Sequence, residues 1–307
     1  MSNVYTDTKI ISLNSKFGIK QNTTYNSNIL FDFNDILKDD PSIINTQIEV
    51  ISSQIPVSFY NINETNNQFN YALGNSNTNP LITKNITIPV GNYNATSLLS
   101  KMNTLFIANG DSTIFNITLN KNTGRISILN TQTFSIYYSE TAKTVNEVLG
   151  LGIISYSFLT STLNAPFMLD LLGTKVLNIC STLLPINSFS SERSASNCLA
   201  TVPINASSFS LILYENSSEK RQTLGIKSIS SIDIQIYGDD NKLINFNNIN
   251  WTMTLAIHSL RKIPLVNNIT FRDVTNIRKS VENEEDENVI PKKEKSLKEK
   301  QLQLLTS

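Results

Sequence analysis

The chain has 307 residues, with 25 basic and 25 acidic side chains, a formal net charge of zero and one histidine. Such a balance excludes a molecule-wide positive face of the kind that grips a nucleic acid backbone. With 40% hydrophobic and 16% charged residues, the body can bury a sizeable core beneath a surface made mainly of Asn, Ser and Thr, which excludes disorder across it.

Residues 1–27 are polar with scattered apolar positions, and this predicts an extended N-terminal arm that orders against a neighbour. Residues 1–20 lack the basic start and apolar run of a secretory signal, and no stretch of about 18 apolar residues could span a bilayer, so assembly in a cytoplasm is expected. Ile29 to Phe33 reads as a strand, and Ile48-Glu49-Val50 begins the strict two-residue alternation of strands with one buried face. The same alternation fills Asn85-Ile86-Thr87-Ile88. Asn94 then suits the N-cap of a helix over Ala95 to Ile107, whose Leu98, Leu99, Met102, Leu105 and Phe106 share one stripe.

Phe115 to Leu119 and Ile126 to Ile128 flank Lys121-Asn122-Thr123-Gly124, which predicts a hairpin. Phe134 to Tyr138 alternates again. Thr144 and Glu147 have capping-box spacing, so a short second helix is expected through Val148 and Leu149. Further strands are expected over Lys175 to Ser181, Phe209 to Tyr214, Ile232 to Ile236 and Trp251 to Ile257. From Arg272 the composition shifts, with an acidic block at 282–287 and a mostly basic one at 292–300, the pattern of a solvated tail or a segment that docks on a partner. The fold class that follows is all-β: a single jelly-roll β-sandwich with an inserted or elaborated region and one or two short helices. The arm takes residues 1–27, the body 28–262 and a flexible charged tail 263–307.

Chemistry has few places to sit. A Ser-His-Asp or Cys-His arrangement would have to pass through His258, which alternation puts on the Thr252, Thr254, Ala256 face, opposite Trp251, as a surface or rim residue. Cys180 and Cys198 are too few for a disulfide scaffold and are not spaced as a CxxC pair, so two buried thiols are expected. Asp239-Asp240 after Gly238 and Asp39-Asp40 before Pro41 read as turns, with calcium at the former the weaker reading. Several Asn-x-Ser/Thr triplets occur, among them Asn85, Asn94, Asn116, Asn205, Asn216 and Asn268, and none is read as glycosylated. No nucleotide-binding glycine motif occurs. The expectation is a non-enzyme, with no catalytic, cofactor or metal residues.

A series of segments resembles a known family. It opens on Leu13-Asn14-Ser15 and Asn28-Ile29-Leu30-Phe31-Asp32-Phe33, and continues from Ile48 to the run Ile55-Pro56-Val57-Ser58-Phe59-Tyr60-Asn61-Ile62. Pro89-Val90-Gly91-Asn92-Tyr93 then leads into the helix, followed by Asn122 to Ile128 and by Val148-Leu149-Gly150-Leu151-Gly152. Leu171-Leu172-Gly173, Leu177 to Ser181, Leu199 to Ile204 and Trp251 to Leu255 close the series. In this order the segments resemble the penton, or minor capsid, proteins of virophages such as Mavirus and Sputnik, with related forms in polinton-like viruses. The resemblance covers residues 13–258 and leaves out the tail. It implies a homopentamer that closes the fivefold vertices of an icosahedral virion beside a double jelly-roll major capsid protein, with a host-cell or host-virus surface as a further partner. No membrane span, nucleic-acid footprint or catalytic site comes with it. The alternative on the same fold is an attachment module that binds carbohydrate or a receptor.

Overall fold

Alternation in the sequence becomes facing antiparallel sheets in the computed structural model, which describes residues 4–22, 25–74, 82–111, 115–139, 141, 143–160, 162–188 and 197–263. In chain order the elements are β1 (Val4–Asn14), β2 (Ile19–Lys20), β3 (Asn28–Leu37), β4 (Ile43–Pro56), β5 (Gln68–Leu73), β6 (Ile82–Thr87), α1 (Ala95–Ala108), β7 (Phe115–Asn120), β8 (Arg125–Asn130) and β9 (Phe134–Tyr137). There follow β10 (Tyr156–Leu159), β11 (Thr162–Asn164), β12 (Val176–Cys180), β13 (Cys198–Pro203), β14 (Leu211–Glu215), β15 (Gln222–Leu224), β16 (Ile229–Tyr237) and β17 (Thr252–Lys262).

One sheet has the order β1-β17-β4-β14, with β15 also paired to β4, and a second has the order β13-β12-β16-β3-β2. Their apolar faces share one core. Leu13, Ile48, Val50, Ile55, Met253, Leu255 and Ile257 come from the first sheet; Ile29, Phe31, Leu177, Ile179, Val202, Ile232, Ile234 and Ile236 come from the second. The chain visits the sheets as β1, then β3, then β4, then β12 and β13, then β14, β16 and β17, which is the strand order of a jelly roll. Residues 4–14, within the segment read as an arm, are its first strand, and they hydrogen-bond beside the last, β17. Their apolar spacing is faint because an edge strand here buries only Ile11 and Leu13.

Trp251 sits where these distant segments converge. It is fully buried, meets the Phe31 ring edge-on at 5.9 Å, and its Nε1 donates to the Asn26 carbonyl at 2.8 Å. Its backbone N–H donates to Ser15 Oγ at 3.0 Å, while Ser15 N donates back to the Trp251 carbonyl at 3.0 Å. Burying an indole requires a partner for its N–H, and the carbonyl of Asn26 supplies one.

Between β4 and β12 the chain builds the inserted region, residues 62–171, around a core of its own. Two small sheets, β10-β9-β5-β6 and β11-β8-β7, and the helix α1 contribute to it. Phe69, Tyr71, Phe106, Phe115 and Phe134 interlock at ring-centroid distances from 4.7 Å (Phe106 on Phe115) to 5.9 Å. The helix starts as its sequence predicts: Asn94 Oδ1 accepts from Ser97 N at 2.8 Å and Ser97 Oγ accepts from Asn94 N at 3.0 Å. Leu98, Leu99, Met102 and Phe106 form its buried stripe. The hairpin β7-β8 also forms, with Phe115 opposite Asn130 and Asn120 opposite Arg125. Among the described residues no helix is long and apolar enough to cross a membrane.

The second helix expected after Thr144 does not form. Val145 to Leu149 make one turn, closed by Leu149 N to Val145 O at 3.0 Å. The chain then stops at Gly150, whose φ is +72°, with Gly150 N donating to Glu147 O and Leu151 N to Asn146 O. This is a helix C-terminal cap arriving a single turn after the start, too soon for a helix to propagate. A Cβ at Gly150 would lie 2.4 Å from the Phe167 carbonyl oxygen and 2.6 Å from that of Met168, so glycine is required for space as well as for φ. Residues Val4–Arg261 form one compact unit. The tail expected over 263–307, apart from Ile263, lies outside the described residues.

Two changes test this architecture by urea unfolding. Trp251→Ala should cost about 3–5 kcal/mol, since it empties the fully buried site where Ser15, Asn26 and Phe31 meet. Gly150→Ala should cost about 2 kcal/mol or more through the positive φ and the carbonyl clash, whereas Gly225→Ala, with open space at its Cβ, should cost well under 1 kcal/mol.

Candidate functional site

Glu49 lies between the core residues Ile48 and Val50 on β4, so alternation turns it to the outer face of the sheet. There it meets His258 of β17: Nε2 lies 2.9 Å from Glu49 Oε1, and Nδ1 lies 2.9 Å from Thr8 Oγ1 on β1. Asn216 Nδ2 donates to Glu49 Oε2 at 3.3 Å, and Arg221 Nε is 3.9 Å from Oε1. His258 is only 7% exposed, which corrects the expectation of a surface or rim residue. The sequence of β17 could not reveal this, because the covering groups come from β1 and from the connection between β14 and β15. A hydroxyl, an imidazole and a carboxylate stand in line here. Acyl transfer would further need oxyanion donors about 3 Å from the reacting atom in a sheltered cleft. Thr8 stands exposed on an edge strand instead. What the three groups do is tie β1, β17 and β4 together on their outer face.

Several other carboxylates accept structural hydrogen bonds. Asp233 accepts from Ser181 Oγ at 3.1 Å, Thr182 N at 3.0 Å, Thr182 Oγ1 at 2.7 Å and Gln235 Nε2 at 3.1 Å. Asp111 accepts from Tyr71 Oη and from Lys84 Nζ, both at 2.5 Å. Burial, reinforced by that carboxylate, holds the Tyr71 phenol well above its usual range. Asp240 accepts from Lys242 N, the work of a turn aspartate, while Asp239 reaches across to accept from Lys175 N just before β12. Asp40 accepts from Ser42 N at 2.8 Å and pairs with Arg261; the Ser42 backbone bond is the first cause of its lowered pKa. Among the described residues no cluster of His, Cys, Asp and Glu could hold a metal ion. Cys180 is buried, but Cys198 is only partly so, unlike the expected pair of buried thiols.

Apolar exposure is concentrated on edges. β14 ends its sheet beyond β4; Ile212 faces the core while Leu211 and Leu213 point outward, and Phe209 just before them is 78% exposed. Phe209 also has a φ of +67°, a conformation that costs a bulky L-residue about 1–2 kcal/mol. Two hydrogen bonds frame it, from Phe209 N to Val57 O at 2.8 Å and from Ser210 N to Ser207 O at 3.2 Å. At the other edge β1 exposes Val4, Tyr5 and Ile10. A further exposed set, Ile153, Ile154, Phe167 and Met168, lies on the inserted region. The sequence marked Phe209 to Tyr214 only as a strand; its apolar run Leu211-Ile212-Leu213-Tyr214 does not alternate, so neither its outward positions nor the turn conformation of Phe209 was legible.

The buried pair should matter for stability. Glu49→Ala removes the partner of the buried His258 Nε2 and one of the two acceptors of Asn216 Nδ2, and should lower the unfolding free energy by about 1–3 kcal/mol. Urea unfolding indistinguishable from the parent would show that the pair contributes nothing.

No curated protein matches the chain. Among solved structures, the crystal structure of the mavirus penton protein aligns with a TM-score of 0.44 at 15% identity, covering 82% of this chain and 99% of that one. A likeness of that degree says nothing by itself of what this chain does. The model of the "Family of unknown function (DUF5901)" matches residues 34–261, from within β3 through most of β17. The match takes in most of the sandwich and the whole inserted region, and the chain belongs to that family of unknown function, DUF5901.

Proposed function

We propose that this protein is a minor capsid subunit of the penton type, which forms homopentamers at the fivefold vertices of an icosahedral virion and abuts a double jelly-roll major capsid protein. The ordered series of segments from Leu13 to Leu255 supports this reading, as does a sandwich with one jelly roll. The observation that carries it is Phe209, an exposed aromatic held at positive φ on the edge of a sheet whose opposite edge also exposes apolar side chains. Strain in an ordered, exposed residue points to a use outside the isolated fold.

A cyclic pentamer needs two different, complementary flanks, because each subunit's one side meets the other side of the next. The β14 and β1 edges lie at opposite ends of one sheet and so supply two such flanks. Covering them also removes unpaired strand edges, which would otherwise recruit other chains. With 16% of residues charged, these contacts are chiefly apolar and neutral. Exposed ion pairs are worth about 0–1 kcal/mol each and are screened by salt, so a neutral interface should respond little to ionic strength.

Sedimentation at low and high salt tests the proposal, with pentamers expected under both. Monomers under both would overturn it, and pentamers lost only at high salt would overturn the neutral interface. Phe209→Gly separates fold from assembly: it should stabilise the monomer by about 1 kcal/mol through relief of φ while weakening the pentamer. A Phe209→Gly protein that assembles as well as its parent would remove Phe209 from the interface.

A further inference from the structure

The two cysteines, 18 positions apart in sequence, face each other across two strands. β12 and β13 are antiparallel, and Cys180 is the Cα partner of Cys198, across a bulge at Leu199 that follows the pairs Asn178 with Thr201 and Ile179 with Ala200. The register is held on the far side as well, by Ser181 N donating to Asn197 O at 3.1 Å. Asn187 clamps the Cys198 backbone, accepting from its N–H at 2.9 Å and donating to its carbonyl at 2.8 Å. Paired residues of antiparallel strands lie about 4.5–5.5 Å apart at Cα, inside the range a disulfide spans, and the hydrogen bond between the two thiols shows that the side chains meet across the strands.

Their surroundings differ in a useful way. Cys180 is buried, whereas Cys198 is partly exposed and lines a cavity of about 340 Å³ with Asn187, Thr201, Tyr214 and Lys220. Cys198 Sγ lies 3.6 Å from Thr201 Oγ1. The hydrogen bond with Cys180 is the first cause that lowers the Cys198 thiol, to about 6; the Thr201 hydroxyl and the Lys220 ammonium add to it against the cost of burial. One sulfur is therefore accessible and thiolate-like, and the other stands directly behind it.

We propose that Cys198 and Cys180 are a hydroperoxide-oxidised pair, Cys198 attacking and Cys180 resolving, which closes into a cross-strand disulfide. The Cys198 thiolate attacks a peroxide oxygen, the O–O bond breaks, and Cys198 becomes a sulfenic acid as hydroxide leaves with the electron pair. Cys180 then attacks the Cys198 sulfur, its S–H proton leaves with the displaced hydroxyl as water, and the S–S bond forms. With the proton first released from Cys198 taking up the hydroxide, two thiols and one hydrogen peroxide give one cystine and two waters. The product would tie the edge strand β13 to β12 covalently. This inference stands apart from the capsid proposal, since it needs only the single chain.

The test uses the full chain, reduced with a phosphine, freed of it and treated with hydrogen peroxide. Both alkylatable thiols should disappear together, the intact mass should fall by two hydrogens, and peptide mapping should find residues 180 and 198 joined, reversibly with dithiothreitol. The rate should rise with pH about a midpoint near 6 rather than the roughly 8.5 of an ordinary cysteine. Cys180→Ser should accumulate a dimedone-reactive sulfenic acid on Cys198, and Cys198→Ser should leave Cys180 unoxidised over the same time. Sulfinic acid on Cys198 of the parent chain without a bridge, bridges only between molecules, or no reaction would each overturn the proposal, and none of these readouts depends on the variants folding.

Discussion

The pairing of the first strand with the last is the constraint on which the rest of the structure depends. β1 lies beside β17, and Ser15, Asn26 and Phe31 gather on Trp251 more than 200 residues along the chain. Nearly the whole sandwich must be present before this junction can close, so its contacts carry long loop-closure costs. An indole whose ring, side-chain N–H and backbone are all engaged concentrates apolar area and hydrogen bonds at the point where the entropic cost is greatest. On the outer face Thr8, His258 and Glu49 join the same strands with polar groups.

The inserted region follows from that topology. Between β4 and β12 lie more residues than any sheet connection needs, and a segment of that length must bury its own apolar side chains or remain unfolded. It does so with five interlocked aromatic rings and the stripe of α1, and its outer connections are set by tight caps such as Gly150. The sandwich thus holds the two entry points close, through Asn61 Nδ2 donating to the Leu171 carbonyl at 3.0 Å, while the insertion carries its own core.

Polar chemistry has been spent on structure throughout. Asp233, Asp111, Asp40, Asp239 and Asp240 each satisfy backbone or side-chain donors. The edges mix apolar with polar side chains: β1 exposes Val4, Tyr5 and Ile10 beside Asp7 and Lys9, and β14 exposes Leu211 and Leu213 beside Glu215. The exposed outward residues of β14 and the strained Phe209 are what the proposed assembly would cover.

By itself the sequence determined the local pieces: the alternation of β4, β7, β8, β9, β16 and β17, the hairpin, the start of α1 at Asn94, and from these an all-β sandwich. These are signals of period and capping, which a few neighbouring residues suffice to express. Only the tertiary structure decided the rest. β1 was hidden because an edge strand with Ile11 and Leu13 as its only buried residues has almost no period to read. The short segment after Thr144 carried a capping signal that a cap one turn later cancelled. Alternation states that a face is buried but not against what, so the existence of two cores was invisible. His258 became buried, and Cys180 became the neighbour of Cys198, through groups brought from distant strands, and no local pattern encodes which strand will lie alongside another.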